Sequence, residues 1–299
     1  MPDQQVLDYV TQSFGGGVAT YLQRKNTGGA AGSKGIQYEN LYAVYHISRM
    51  VPFINLDETK RLNISTQTLD FVDDLIIEDR FASSRRQYQL KNTDNVAWGA
   101  GKNKICDDFR YQKRVNKHIG IEHTRLALVV PNQSKAKALR KHQPTDINGF
   151  SRVEHFGFAE TLSATLQVEP KLYESLADLC VKPEPSKIDR LGSLIMGEWV
   201  ARLGAPCTIE EIWEGVKRHQ PNYLAYATQT ELKPEVNKLL VQIPGFTFRL
   251  EKGFFVWQYR ECDSGELNYP IDSEDFKEFQ LQILAREPRD FEDMEDLLV

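Results

Sequence analysis

At 299 residues the chain is long enough for one large or two ordinary domains, and 41% hydrophobic and 26% charged residues with a net charge of −5 exclude a disordered or fibrous protein. No apolar run approaches the length of a membrane span, and Met1-Pro2-Asp3-Gln4-Gln5 has neither a basic nor an apolar leader region, so a cytoplasmic location without a membrane partner is expected. The four cysteines (Cys106, Cys180, Cys207, Cys262) form no close pair and the six histidines show no ligand spacing, which argues against a zinc site or a disulfide framework.

Residues 14–36 are glycine-rich but lack the ending of a P-loop and the spacing of a dinucleotide fingerprint, so they read as a flexible lead-in to the next helix. That helix runs from Tyr38 to Met50, with an apolar stripe through Leu41, Val44, Tyr45 and Ile47, and Pro52 is expected to stop it. Strands follow near 62–67, 69–78 and 86–92. A turn at Gly99-Ala100-Gly101 introduces a helix from about Lys102 to Lys117, and a strand over Thr124–Val130 ends at Pro131. The order is α-β-β-β-α-β, a sheet flanked by helices. Residues 85–142 carry fourteen Lys/Arg against four Asp/Glu, so a polynucleotide is expected to lie there.

Residues 133–186 read as helical and irregular, and Lys182-Pro183-Glu184-Pro185-Ser186 as a linker. Helices over 188–203, 208–218 and about 230–242 precede a hairpin over Phe246–Trp257, the layout of a winged helix. Its third helix pairs two lysines with two acids, which suits a protein partner better than DNA. Residues 261–299 hold thirteen acids and three bases around a stripe that includes Phe276, Phe279, Leu281, Ile283 and Leu284. They read either as an amphipathic helix docked on its own chain or as a partner-binding or autoinhibitory segment.

The chemistry concentrates in two strands. Phe71–Ile77 places Asp73-Asp74 in an apolar run, and Gln89 and Lys91, two apart, leave the same face of the next strand. Charges buried in such strands are costly without a partner, and a divalent cation between neighbouring strands is one. Asp74, the Gln89 amide oxygen and the Leu90 carbonyl can supply ligands, with Glu39 from the preceding helix as a second carboxylate and Asp73 in reserve. Lys91 would position a water or offset charge in the transition state. Each element alone is commonly structural: a turn, a solvated strand face or a helix N-terminal acid.

Glu39, Asp74 and Gln89-Leu90-Lys91 on this element order resemble the PD-(D/E)xK nuclease superfamily, in the variant with glutamine for the middle acid. Gly32-Ser33-Lys34-Gly35-Ile36-Gln37-Tyr38-Glu39, with Asp73-Asp74-Leu75-Ile76 and Tyr88-Gln89-Leu90-Lys91, is similar to the nuclease domains of bacterial anti-phage effectors. These are CBASS endonucleases fused to a SAVED sensor and the nuclease subunit of Lamassu systems. The resemblance covers roughly residues 28–135. It implies a restriction-endonuclease-like α/β core, which the helix and hairpin pattern continues as a mainly α region with a winged-helix-like module. The implied activity is Mg²⁺-dependent (or Mn²⁺-dependent) cleavage of double-stranded DNA by catalytic Asp74, Gln89, Lys91 and Glu39. Arg85, Arg86, Lys102, Lys104, Arg110, Lys113, Arg114 and Lys117 are the candidate DNA contacts. The expected division is a nuclease-like domain over 1–158, a helical connector over 159–187, a winged-helix-like interaction domain over 188–260 and an acidic tail over 261–299. About 140 residues after the core are too few for a SAVED domain, which favours control by a partner such as an SMC-like or ABC-type ATPase, with homo-oligomerisation on activation. The competing readings are a non-catalytic interaction subunit with a decayed nuclease fold and a winged-helix DNA-binding regulator.

Overall fold

The computed structural model describes residues 2–28, 33–56, 62–93, 95–99, 104–181, 183–203, 205–219, 224, 232–251, 253–260, 263–271 and 273–298. Contacts group the chain into two compact units, Met1–Tyr173 with Asp189–Val216, and Glu174–Ile188 with Lys217–Val299. This division departs from the boundaries at 158, 187 and 260 expected from sequence. The segment expected to be one winged module contributes helices to both units.

The first unit contains α1 (Pro2–Phe14), α2 (Gly16–Gly28), α3 (Ser33–Leu56), β1 (Leu62–Ser65), β2 (Leu75–Asp79), β3 (Ser84–Leu90), α4 (Ile105–His118), β4 (His123–Val130), α5 (Gln133–Lys141), α6 (Thr145–Asn148), β5 (Ser151–His155) and α7 (Leu162–Val168). After α8 (Pro170–Ala177), most of α9 (Pro185–Val200), all of β6 (Cys207–Thr208) and most of α10 (Ile209–Arg218) complete it. The expected α-β-β-β-α-β order is present as α3-β1-β2-β3-α4-β4. The strands form one sheet in the order β5-β4-β3-β2-β1-β6. β1, β2 and β3 pair antiparallel, whereas β3-β4 and β4-β5 are parallel. Antiparallel neighbours need only short connections, and the parallel β3-β4 pair needs the crossover that α4 supplies.

Helices cover both faces. On one face Tyr42 and His46 of α3 meet Tyr88 of β3, ring centroids 5.2 and 4.7 Å apart. On the other, Phe109 of α4 packs with Leu126, Leu128 and Val130 of β4. α3 is buried around most of its circumference from Leu41 to Ser48, rather than along a stripe, which is how a central helix reads. Pro52 lies inside α3 instead of ending it, at the loss of one backbone donor. The expected flexible lead-in is largely α2, which starts one residue after Gly15. Gly15 turns the chain between α1 and α2 at φ +91°, a conformation that favours glycine. The two helices then pack Val10 and Leu22 against Phe71 and Val115.

The second unit holds α11 (Pro234–Leu240), a three-stranded antiparallel sheet of β7 (Phe246–Glu251), β8 (Phe254–Tyr259) and β9 (Asp263–Glu266), then α12 (Glu274–Arg286) and α13 (Phe291–Glu295). The expected hairpin is present and gains a third strand. The acidic tail is not a loose appendage. Phe276, Phe279, Ile283, Met294 and Leu297 are buried in one core with Phe246 and Phe255, and the acids line the solvent side.

Candidate catalytic site at the end of β3

β2 begins at Leu75, so Asp73-Asp74 sits in the loop that enters the strand and not within it. A buried polar network shapes that loop. Gln112 of α4 accepts hydrogen bonds from the backbone N–H groups of Phe71 (2.6 Å) and Val72 (3.2 Å), and its amide donates to Asp70 (2.6 Å) and Asn116 (2.9 Å). Asp70 holds the guanidinium of Arg85 at 3.1 Å. Asn116 donates to Gln87 at 2.6 Å, and Gln87 donates to the Val72 carbonyl at 3.1 Å. Thr66 donates to the Asp74 carbonyl at 2.8 Å. Buried polar groups satisfied in this way fix a single loop geometry, because any other leaves donors or acceptors orphaned.

The loop delivers Asp74 to the C-terminal end of β3. Its Oδ2 accepts from the Leu90 backbone N–H at 2.6 Å and from the Gln89 side-chain amide, and lies 3.9 Å from the Lys91 ammonium. Glu39, near the start of α3, is close enough that Asp74 and Asp73 act on it electrostatically. Burial, then Asp74, pushes its carboxyl up to about 8 against the opposing pull of Lys91. Asp73 is also buried, and desolvation pushes it up to about 7 although Lys25 opposes this. The four residues expected to act together therefore do converge. Gln89 does so differently from expectation. Its oxygen accepts from the ammonium of Lys25 at 2.9 Å while its nitrogen faces Asp74. Reversing the amide would set its N–H₂ against an ammonium, so charge decides the orientation. In this arrangement Gln89 orients Asp74, and its oxygen is taken by the Lys25 ammonium instead of facing a metal ion.

Two members of the site were missed from sequence. Lys25 of α2 donates to Gln89, to Asp108 at 3.1 Å and to the Phe71 carbonyl, and lies 3.8 Å from Asp73. Asp108 of α4 also accepts from Tyr21 at 3.1 Å, and burial raises its pKa. Reading residues 14–36 as a flexible lead-in hid Lys25, since only a helix at this place carries it across to β3.

The two raised carboxyls set a pH dependence. Both have folded-state pKa values above their ordinary ones, so the folded protein holds more protons through this window. Their contribution favours folding at the acid end and is lost as pH rises from about 4 towards 7 and 8. Metal-free wild type is expected to lose melting temperature between pH 5 and pH 8 in EDTA, and Glu39→Gln to flatten that slope. Equal slopes in the two proteins would contradict the burial of Glu39 beside Asp74.

A hard cation fits this donor set. Among the described residues no group of three or more His, Cys, Asp or Glu is arranged as a metal cluster. Two carboxylates, Asp74 and Glu39, with the Leu90 carbonyl and waters form the sparse oxygen set on which Mg²⁺ is commonly held. Oδ1 of Asp73 is buried without a hydrogen-bond partner among the described residues, and the Lys25 ammonium stands 3.8 Å from it.

The expected DNA contacts separate. Arg85 is buried and paired with Asp70 and, at 3.5 Å, Glu78, so it holds the fold and cannot reach a phosphate. Arg110 pairs with Asp107 and Asp146. Lys113 and Arg114 lie over the rings of Phe150 and Phe14. Arg86, Lys104, Arg114 and Lys117 are exposed, and Lys102 lies outside the described residues.

No protein-family model matches the chain, and no curated protein matches it. Among solved structures, the Moraxella osloensis Cap4 SAVED/CARF-domain containing receptor is similar at a TM-score of 0.35 and 15% identity, over 61% of this chain and 48% of that one. The chain thus spans about half the length of that receptor.

Proposed function

We propose that the chain is a metal-dependent double-stranded DNA endonuclease of PD-(D/E)xK type, acting as an effector in bacterial anti-phage defence. The observation that carries this reading is the convergence of Asp74, Gln89, Lys91 and Glu39 at one end of β3, on a sheet whose β1-β2-β3 are antiparallel and whose β4 is parallel to β3. Asp74, Glu39 and the Leu90 carbonyl would hold Mg²⁺ or Mn²⁺. When bound, such an ion lowers the pKa of a water and stabilises charge on phosphoryl oxygens. The Lys91 ammonium stands beside Asp74 to neutralise charge on the attacked phosphate. Gln89 and the Leu90 N–H keep the Asp74 carboxylate aimed, and Lys25 keeps Gln89 in its orientation. The defence setting rests on the sequence resemblance of residues 28–135, as does restraint by an ATPase partner until infection is sensed. Cutting both strands needs two such sites, which a dimer supplies.

Supercoiled plasmid incubated with the purified chain, alone and with its partner, is expected to be cleaved in Mg²⁺ and intact in EDTA. Cleavage that persists in EDTA sinks the reading. Metal binding has a readout free of activation. At 100-fold excess over Kd, Mg²⁺ stabilises wild type by about 2.7 kcal/mol, and the rise in melting temperature is expected to vanish in Asp74→Ala.

A further inference from the structure

Four arginines converge on one face of the sheet, and only Arg86 of them is among the expected DNA contacts. Arg86 of β3 and Arg125 of β4 are register partners on adjacent parallel strands. Arg152 of β5 is the partner of Ala127, two residues further along β4. Side chains two apart on a strand share a face, so all three guanidinia leave the side of the sheet covered by α3. Arg49 of α3 joins them, and the four line a cavity of about 450 Å³ together with Tyr88 and Ser151. Arg49 bonds the Tyr45 hydroxyl at 3.1 Å, and Arg152 pairs with Glu154 at 2.6 Å. Among the described residues Arg86 and Arg125 have no ion pair or hydrogen bond, so four cations face one carboxylate.

Tyr88 lines the cavity at 2% exposure, but its hydroxyl is closed off from water-sized access. The guanidinia therefore carry the recognition: they repel one another, and one oxyanion with several acceptor oxygens relieves that repulsion. Guanidinium forks match phosphate geometry, and the volume lies within the range that holds a nucleotide-sized ligand.

We infer that this cavity is a binding pocket for a phosphate ester, separate from the cluster around Asp74. Arg86 is five residues from Lys91 along β3, roughly 16 Å, and Arg49 is ten residues from Glu39 along α3, roughly 15 Å. The phosphate has two possible sources, a free nucleotide or the backbone of a DNA strand. A 16 Å offset corresponds to about five steps of one strand. Neither source requires the metal or the nuclease reading.

The test is calorimetric titration of the full chain, in EDTA, with pyrophosphate, with ADP and with a short DNA duplex. Wild type is expected to bind at least one probe saturably. Arg86→Gln/Arg125→Gln is expected to weaken that binding at least tenfold, with an unchanged melting temperature because both side chains are exposed. ADP binding that the duplex does not displace identifies a nucleotide pocket, and displacement by the duplex identifies a strand-holding one. No saturable binding of any probe by wild type, or equal binding by the double variant, would falsify the pocket.

Discussion

Asp74→Ala and Lys91→Ala are each expected to lower Mg²⁺-dependent plasmid cleavage by roughly 10²–10³-fold, the usual loss when a charge-stabilising group is removed from a reacting centre. The two should fail for different reasons. Asp74→Ala removes a carboxylate ligand and leaves the Leu90 N–H and the Gln89 amide without their acceptor, so the Mg²⁺-induced rise in melting temperature disappears with activity. Lys91→Ala removes an ammonium whose side chain is 37% exposed, so the metal response survives and only turnover falls. Single-turnover assays beside thermal melts in Mg²⁺ separate the two. A Lys91→Ala protein that cuts at the wild-type rate removes lysine from the chemistry.

The second large effect lies behind the site. Asp70→Ala is expected to destabilise the first unit by about 3–5 kcal/mol, the usual consequence of stranding one member of a buried ion pair. The Asp70 and Arg85 side chains are only 6% and 11% exposed, and Asp70 also accepts from Thr68 at 2.6 Å and Gln112 at 2.6 Å. Removing it leaves Arg85 with the Glu78 carboxylate at 3.5 Å and the Asn116 side-chain oxygen at 3.4 Å. For a unit of this size the melting temperature falls by about 2–4 °C for each kcal/mol. Asp70→Leu/Arg85→Met, which replaces both charges with apolar groups, is expected to recover much of the loss. Cleavage should not recover with it, because Asp70 also anchors Gln112, which holds the loop carrying Asp74. A drop below about 1 kcal/mol in Asp70→Ala would mean that the network does not shape the loop.

The candidate residues were legible because local spacing carries them. Gln89 and Lys91 are two apart on a strand, and an acid pair stands just before the neighbouring strand. Antiparallel pairing of β2 with β3 then sets Leu75 opposite Tyr88, which brings the loop before β2 alongside the end of β3. The extent of β2 was less legible. Phe71 and Val72 read as strand because they are apolar, but they are buried by packing under α4 and α2, and their N–H groups bond Gln112 instead of a neighbouring strand. The stripe of the tail was legible, because Phe276, Phe279 and Ile283 recur at helical spacing, and in the structure they close a core with the acids outside.

By itself the sequence determined the α3-β1-β2-β3-α4-β4 order, the basic segment over 85–142 and the acidic one over 261–299, and it named Asp74, Gln89, Lys91 and Glu39 as candidates. Each follows from periodicity, composition or residues a few positions apart. Only the tertiary structure decided that Lys25 turns Gln89 towards Asp74, that Arg85 is a buried structural cation, and that Arg49, Arg86, Arg125 and Arg152 share one cavity. These residues are tens of positions apart and bear no mutual pattern in the chain. They meet because parallel pairing of β3, β4 and β5 aligns distant side chains in rows, and because α2 and α3 both reach β3, at Gln89 and Tyr88.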